Sequence, residues 1–116
     1  MTKAKSDLPD LSKEEIQRYS RHLLIPDIGV VGQKKIKAAS ILVVGAGGLG
    51  SPVLLYLAAA GIGRIGIVDD DTVGITNLQR QVIHGESRVD DLKIHSARDR
   101  MLDINTDITV DLYAEP

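Results

Sequence analysis

The stretch Gly45-Ala46-Gly47-Gly48-Leu49-Gly50 restricts the fold of this chain more than any other. Before it runs Ile41-Leu42-Val43-Val44, a continuous apolar segment that suits a strand buried on both faces of a parallel sheet. After it comes Ser51 to Ala60, small-residue and leucine-rich, which reads as a helix with Pro52 tolerated in its first turn. A G-x-G-x-x-G pattern is weak alone but gains mechanical meaning between a strand and a helix. Gly45 permits the tight turn, Gly47 lets phosphate or ribose approach the backbone, and Gly50 lets the helix pack closely on the sheet. The free N–H groups of such a helix start favour an anion.

The rest of the chain extends this unit. Arg64 to Asp69 predicts a second strand with Ile65, Ile67 and Val68 as its apolar members, and strand, turn, helix, strand makes a right-handed parallel unit. Asp70 to Gly85 is polar and irregular, with a short helix expected near Asn77 to Val82. Ile94, Ala97, Met101 and Ile104 form the stripe of an amphipathic helix, and Ile108 to Tyr113 alternates as a third strand. Upstream, residues 1–10 read as a disordered lead-in. Ser12 and Glu15 form a capping box, Leu11 and Ile16 can act as a staple, and Ile16, Tyr19 and Leu23 continue one apolar face towards Pro26. A second helix is expected around Gln33 to Ala39. The expected fold is α/β: a Rossmann-like parallel sheet, the first βαβαβ half of a doubly wound domain in strand order 3-2-1, preceded by N-terminal helices.

Size and charge narrow the function. At 116 residues the chain holds one domain at most, and a net charge of −2 gives no general attraction for nucleic acid or an anionic membrane. Any anion site must be local. No apolar run reaches transmembrane length and Met1 to Asp10 is polar, so the expected location is cytoplasmic. Without cysteine the chain offers no disulfide, thiolate zinc site or thiol nucleophile, and without Phe or Trp it lacks the usual platforms for stacking single-stranded bases.

Asp69, about twenty residues past the glycines, is placed to accept hydrogen bonds from ribose hydroxyls, with a solvated loop acid as the plainer reading. Asp70 and Asp71 read as solvated carboxylates, either of which could bind Mg²⁺. To this point a nicotinamide-dependent oxidoreductase fits equally well. What separates the readings is Thr76-Asn77-Leu78-Gln79-Arg80-Gln81 with Lys93 beyond it, a basic and amide cluster that, with Arg21, can surround a triphosphate. Tyr19 reads as core, and His84 and His95 as surface or satisfied polar groups.

Three blocks then carry a resemblance: Arg18-Tyr19-Ser20-Arg21-His22, the glycine loop, and Asp69-Asp70-Asp71-Thr72-Val73 running into Asn77-Leu78-Gln79-Arg80-Gln81. Their order and spacing closely resemble the MoeB/ThiF (HesA) adenylyltransferases, relatives of the ubiquitin-activating enzymes, from Leu11 to about Tyr113. The resemblance implies ATP-dependent adenylylation of the C-terminal glycine of a ubiquitin-like sulfur-carrier protein ending in Gly-Gly, in a molybdopterin, thiamine or related sulfur-transfer pathway. It implies a homodimer, ATP and Mg²⁺, with the main Mg²⁺ ligand outside this chain. By matching position, Gly48 and Asp69 resemble the nucleotide-loop and ribose contacts, and Thr76, Asn77, Leu78, Gln79 and Arg80 the stretch lining the phosphates. Arg80 and Lys93 are similar to the phosphate-binding basic residues, and Arg21 to an arginine that reaches into the neighbouring protomer's site. Arg21, Arg80 and Lys93 are thus the candidate catalytic residues.

The chain departs from that pattern at Asp90-Asp91-Leu92-Lys93. The family usually places glycine at the position of Asp90, and often proline just before the lysine. A non-glycine residue resists positive φ, and two carboxylates beside a triphosphate repel it. The family's adenylation domain is also about twice this long, so residues 11–116 are expected to be its N-terminal part, truncated, with the zinc-binding cysteines of the family elsewhere. In such a half, Ile41 to Val44 would become an unpaired edge. Two other readings stay open: a non-catalytic nucleotide-binding or dimerisation remnant, and, more distantly, an NAD(P)-dependent oxidoreductase domain.

Overall fold

In a computed structural model, the structure describes residues 7–47 and 50–116. Among the described residues, five helices and three strands follow in the order α1 (Lys13–Arg18), α2 (Ser20–Leu23), α3 (Gly29–Ala38), β1 (Ser40–Val44), α4 (Gly50–Ala60), β2 (Arg64–Val68), α5 (Lys93–Ile104) and β3 (Thr109–Tyr113), with 3₁₀ turns at Ile75–Asn77 and Glu86–Arg88. The strands form one parallel sheet in the order β1-β2-β3, the Rossmann-like α/β half that the sequence predicts.

Local chemistry accounts for the start. Ser12 Oγ accepts the N–H of Glu15, while the Glu15 carboxylate accepts the N–H of Ser12, closing the capping box. The helix predicted to run through Tyr19 does not continue. It breaks there at φ −100°, ψ 17°, and α2 starts afresh at Ser20. The break turns Tyr19 into the core, where its hydroxyl accepts a 2.7 Å hydrogen bond from Asn105 Nδ2, while Ile16 is left largely exposed rather than sharing a buried face with it. The next helix begins four residues earlier than predicted, at Gly29. Its buried Gln33 accepts from His22 Nδ1–H at 3.1 Å and donates to the Ala60 carbonyl at 2.9 Å, joining α2, α3 and α4. Of the lead-in, residues 1–6 lie outside the described residues; Asp10 follows, its carbonyl accepting from Lys37 Nζ at 2.6 Å.

Strand register sorts the sheet into two faces. The rows Ile41, Ile65, Val110 and Val43, Ile67, Leu112 face the helices, with Ile65 and Ile67 fully buried beside Leu54 of α4 and Met101 of α5. The alternate rows, Leu42, Gly66, Asp111 and Val44, Val68, Tyr113, form the other face. Leu42 is 60% and Val44 78% exposed, so β1 is not buried on both faces. Among the described residues it pairs with β2 alone and forms one edge of the sheet. The short helix predicted near Asn77 to Val82 is instead the 3₁₀ turn Ile75–Asn77 followed by further turns.

Candidate functional site

The start of the glycine loop, Gly45 and Ala46, leaves β1 and lies against the end of β2. Gly45 adopts φ +94°, a conformation that disfavours any side chain, and its N–H donates to the Val68 carbonyl at 2.7 Å. A Cβ on Gly50 would overlap the Gly45 carbonyl, so the third glycine is required by the turn itself. Gly47 differs in kind. A Cβ there would lie 3.5 Å from Gln81 Nε2 and 4.0 Å from Lys93 Nζ, and the bare backbone leaves that space open in front of both polar groups. Gly48, expected to contact nucleotide, lies outside the described residues.

Ala46, fully buried, is held through both its polar atoms. Its N–H donates to Asp69 Oδ2 at 2.8 Å. Its carbonyl lies 2.9 Å from His84 Nε2, and because a carbonyl only accepts, that nitrogen carries the proton. His84 Nδ1, 2.7 Å from Ser96 Oγ, then accepts the serine O–H. Burial holds the His84 pKa below the ordinary imidazole value; the neighbouring Lys93 charge adds to this, and the Ala46 carbonyl and Asp69 oppose it. His84 is therefore a buried and satisfied polar group, one of the two readings made from sequence, whereas His95 is exposed.

Asp69 sits just past β2, and its second oxygen, Oδ1, accepts the N–H of Asp71 at 2.9 Å. With Asp70 and Asp71 it forms a cluster whose carboxylate oxygens lie within 4.8 Å of one another, Asp70 and Asp71 exposed. The Asp71 main-chain carbonyl accepts the main-chain N–H of Lys93 at 2.9 Å, and an isolated bridge between Thr72 and Leu92 completes the return of the chain to the start of α5.

Lys93 is the first residue of α5 and is only 7% exposed. No carboxylate pairs with its ammonium among the described residues. A lysine with so little exposed surface usually carries its cation against an anion. The neighbouring acids foreseen as repulsive are largely disposed of. Asp91 accepts from Arg88 at 3.3 Å, and Arg88 also holds Asp99 at 2.6 Å; Asp90 points to solvent. Asp90 does adopt φ +74°, the glycine-favouring conformation anticipated at that position.

The remaining candidates divide. Asn77 Oδ1 accepts the Gly74 N–H at 2.9 Å and shapes the 3₁₀ turn. Thr76, Gln79 and Arg80 are exposed, the Gln79 amide and Arg80 guanidinium reaching back to the Thr76 carbonyl at 3.4 and 3.3 Å, while Leu78 is half-buried. Arg80 makes no ion pair with Asp71. Arg21 is exposed on α2, and no side-chain hydrogen bond joins it to the loop among the described residues. Two further residues adjoin the site. Gln81, the last residue of the amide cluster read from sequence but given no contact of its own there, is 4% exposed with Oε1 lacking any partner among the described residues, and His84 reaches Ala46 across 38 positions, a distance no local spacing reveals.

A three-stranded parallel sheet with a glycine turn between its first strand and helix places the chain among the Rossmann-like α/β domains. A model of the ThiF family matches residues 19–116, and the chain belongs to that family. It is 63% identical over 103 residues to the "Probable adenylyltransferase/sulfurtransferase MoeZ" of Mycobacterium tuberculosis, covering 89% of this chain and 26% of that protein. With the adenylyltransferase and sulfurtransferase MOCS3-1 of Zea mays it shares 58% identity, covering 89% of this chain and 22% of the other. Among solved structures, E. coli MccB with ATP superposes with a TM-score of 0.77 at 35% identity, over 85% of this chain and 30% of that one. The chain thus spans about a quarter of the length of the curated relatives it matches. No helix among the described residues is long and apolar enough to cross a membrane.

Proposed function

We propose that this chain carries the ATP-binding half of an adenylyltransferase that activates the C-terminal glycine of a ubiquitin-like sulfur-carrier protein. The observation that carries the reading is Lys93, a residue only 7% exposed whose ammonium meets no carboxylate among the described residues and lies beside the open backbone at Gly47. A phosphate in that space would supply the missing counter-charge and meet the Gln81 amide, and a ribose hydroxyl could use the free lone pairs of Asp69. Likeness to MccB, solved with ATP, supports the nucleotide.

In the reaction an ionised carboxylate attacks the α-phosphorus of ATP, a P–O bond forms, and the bond to pyrophosphate breaks. No side-chain nucleophile is needed. The chain's task is to fix the nucleotide and offset charge moving to the leaving phosphates, work suited to Lys93 and Arg80, with Arg21 contributed across a homodimer. Mg²⁺ would further neutralise the phosphates. Among the described residues, Asp70 and Asp71 offer unengaged carboxylates beside the loop, both Asp69 oxygens accepting amide N–H groups, which suits a main ligand outside this chain.

The test is titration of ATP into the parent chain and into Lys93→Met. Parent binding that weakens by about tenfold or more in the variant, with the fold retained, is expected for a lost charge-assisted contact. Equal affinity in the two proteins, or a preference for NAD over ATP, would refute the reading. Pyrophosphate exchange dependent on a Gly-Gly carrier, measured in the longer protein, then separates adenylylation from nucleotide binding alone.

A further inference from the structure

We infer that His84 is a positioning residue which fixes the start of the glycine loop, at Ala46 and Gly47, relative to Lys93. This rests on the nucleotide reading above, but its geometry stands apart from it. The anion space has two walls, the backbone at Gly47 and the ammonium of Lys93, and they belong to different elements, the β1–α4 turn and α5. Among the described residues, the side-chain link that joins those elements is the chain Ala46 carbonyl, His84 imidazole, Ser96 hydroxyl. Ser96 lies on α5 three positions after Lys93, one turn along the same helix. Ala46 directly precedes Gly47. Every member is buried: Ala46 fully, Ser96 at 2% and His84 at 6% exposure.

The adjacent residue reinforces the clamp. Ile83 N–H donates at 2.8 Å to the buried hydroxyl of Ser51, in the first turn of α4. Residues 83 and 84 therefore hold the loop on both sides, one at its Ala46 carbonyl and the other at the helix that follows. Asp69 takes the opposite polar atom of Ala46, so that residue can neither shift nor rotate without breaking a buried bond. A neutral imidazole suits the role. It donates through Nε2 and accepts through Nδ1 without adding a second positive charge beside Lys93.

The experiment compares His84→Gln with His84→Asn. The Gln amide nitrogen reaches about as far as imidazole Nε2 and can still donate to the Ala46 carbonyl; the shorter Asn can serve only the Nδ1 position. Amide hydrogen exchange without nucleotide is read at Ala46 and in β2, and thermal unfolding is followed in parallel. The expected result is exchange at Ala46 faster by about tenfold in the Asn variant, near the parent rate in the Gln variant, and unchanged within β2 in both. ATP affinity should follow the same order, with Gln rescuing. Unchanged Ala46 exchange in His84→Asn would overturn the proposal, as would equal acceleration of loop and β2 in both variants, which marks general destabilisation. Parent protein that fails to bind ATP but shows this exchange pattern would sink the nucleotide reading while leaving the positioning role in place.

Discussion

Asp69 accepts the main-chain N–H of Ala46 at 2.8 Å across 23 positions, and its other oxygen accepts that of Asp71 at 2.9 Å. Each carboxylate oxygen thus faces a donor. Asp69→Asn is isosteric, yet whichever way the new amide turns, its NH₂ meets a main-chain N–H. The expected cost is about 1–3 kcal/mol of stability, with ATP affinity reduced as well. Urea unfolding and nucleotide titration of the variant check this; parent-like values in both would show that the carboxylate does not organise the loop.

Asp90 occupies φ +74° while its N–H donates to the Val73 carbonyl at 2.8 Å. Glycine keeps that hydrogen bond and relieves the steric cost of a left-handed L-residue, against which stands the greater freedom of an unfolded glycine. Relief outweighs entropy at such a position, so Asp90→Gly should gain about 0.5–1 kcal/mol. A rise in the urea midpoint with an unchanged slope is the expected reading, and a fall would contradict the argument.

Protonation of His84 sets a further expectation. Burial lowers its pKa, so below the ordinary value of about 6.5 the unfolded chain binds a proton that the folded chain resists. This contribution to stability is present in full above that value and is lost as pH falls towards the lowered folded pKa. Glu15 acts lower on the scale. Burial tends to raise its pKa, but the bonds from Lys37 and Ser12 together bring it below 4.5, so its contribution is lost only as pH drops beneath that value. Urea midpoints measured from pH 7.5 to 5 should decline in the parent and stay flatter in His84→Gln. Identical slopes would remove His84 as the cause.

What was legible in the sequence follows how local the determining contacts are. The Ser12–Glu15 box spans three positions, and the structure reproduces it atom for atom. The strand-turn-helix unit at Gly45 was equally readable, because φ +94° and the tight approach at Gly50 are demands of a single turn. The break at Tyr19 was not, since the helical pattern runs through it and the competing pull comes from distant Asn105. Lys93 was read as threatened by Asp90 and Asp91. That Arg88 takes Asp91 is settled by the short turn at Glu86–Arg88, which no hydrophobic period announces. His84 reads from sequence only as a surface or satisfied polar group for a related reason: its partners Ala46 and Ser96 lie on other elements, and an isolated polar residue in an irregular segment does not disclose what it will touch.

The contact between Tyr19 and Asn105 has a bearing on the order of events during folding. It joins positions 86 residues apart, near the two ends of the chain, while the β1–β2 pairing closes a much shorter loop. Loop-closure entropy disfavours the longer connection early, so the sheet and the helices on it should assemble before α1 and α2 dock. Tyr19→Phe should therefore leave the folding rate nearly unchanged and speed unfolding, by about fivefold for a hydrogen bond worth about 1 kcal/mol. In kinetic terms this bond is a late latch, governing how long the native state lasts more than how quickly it is reached.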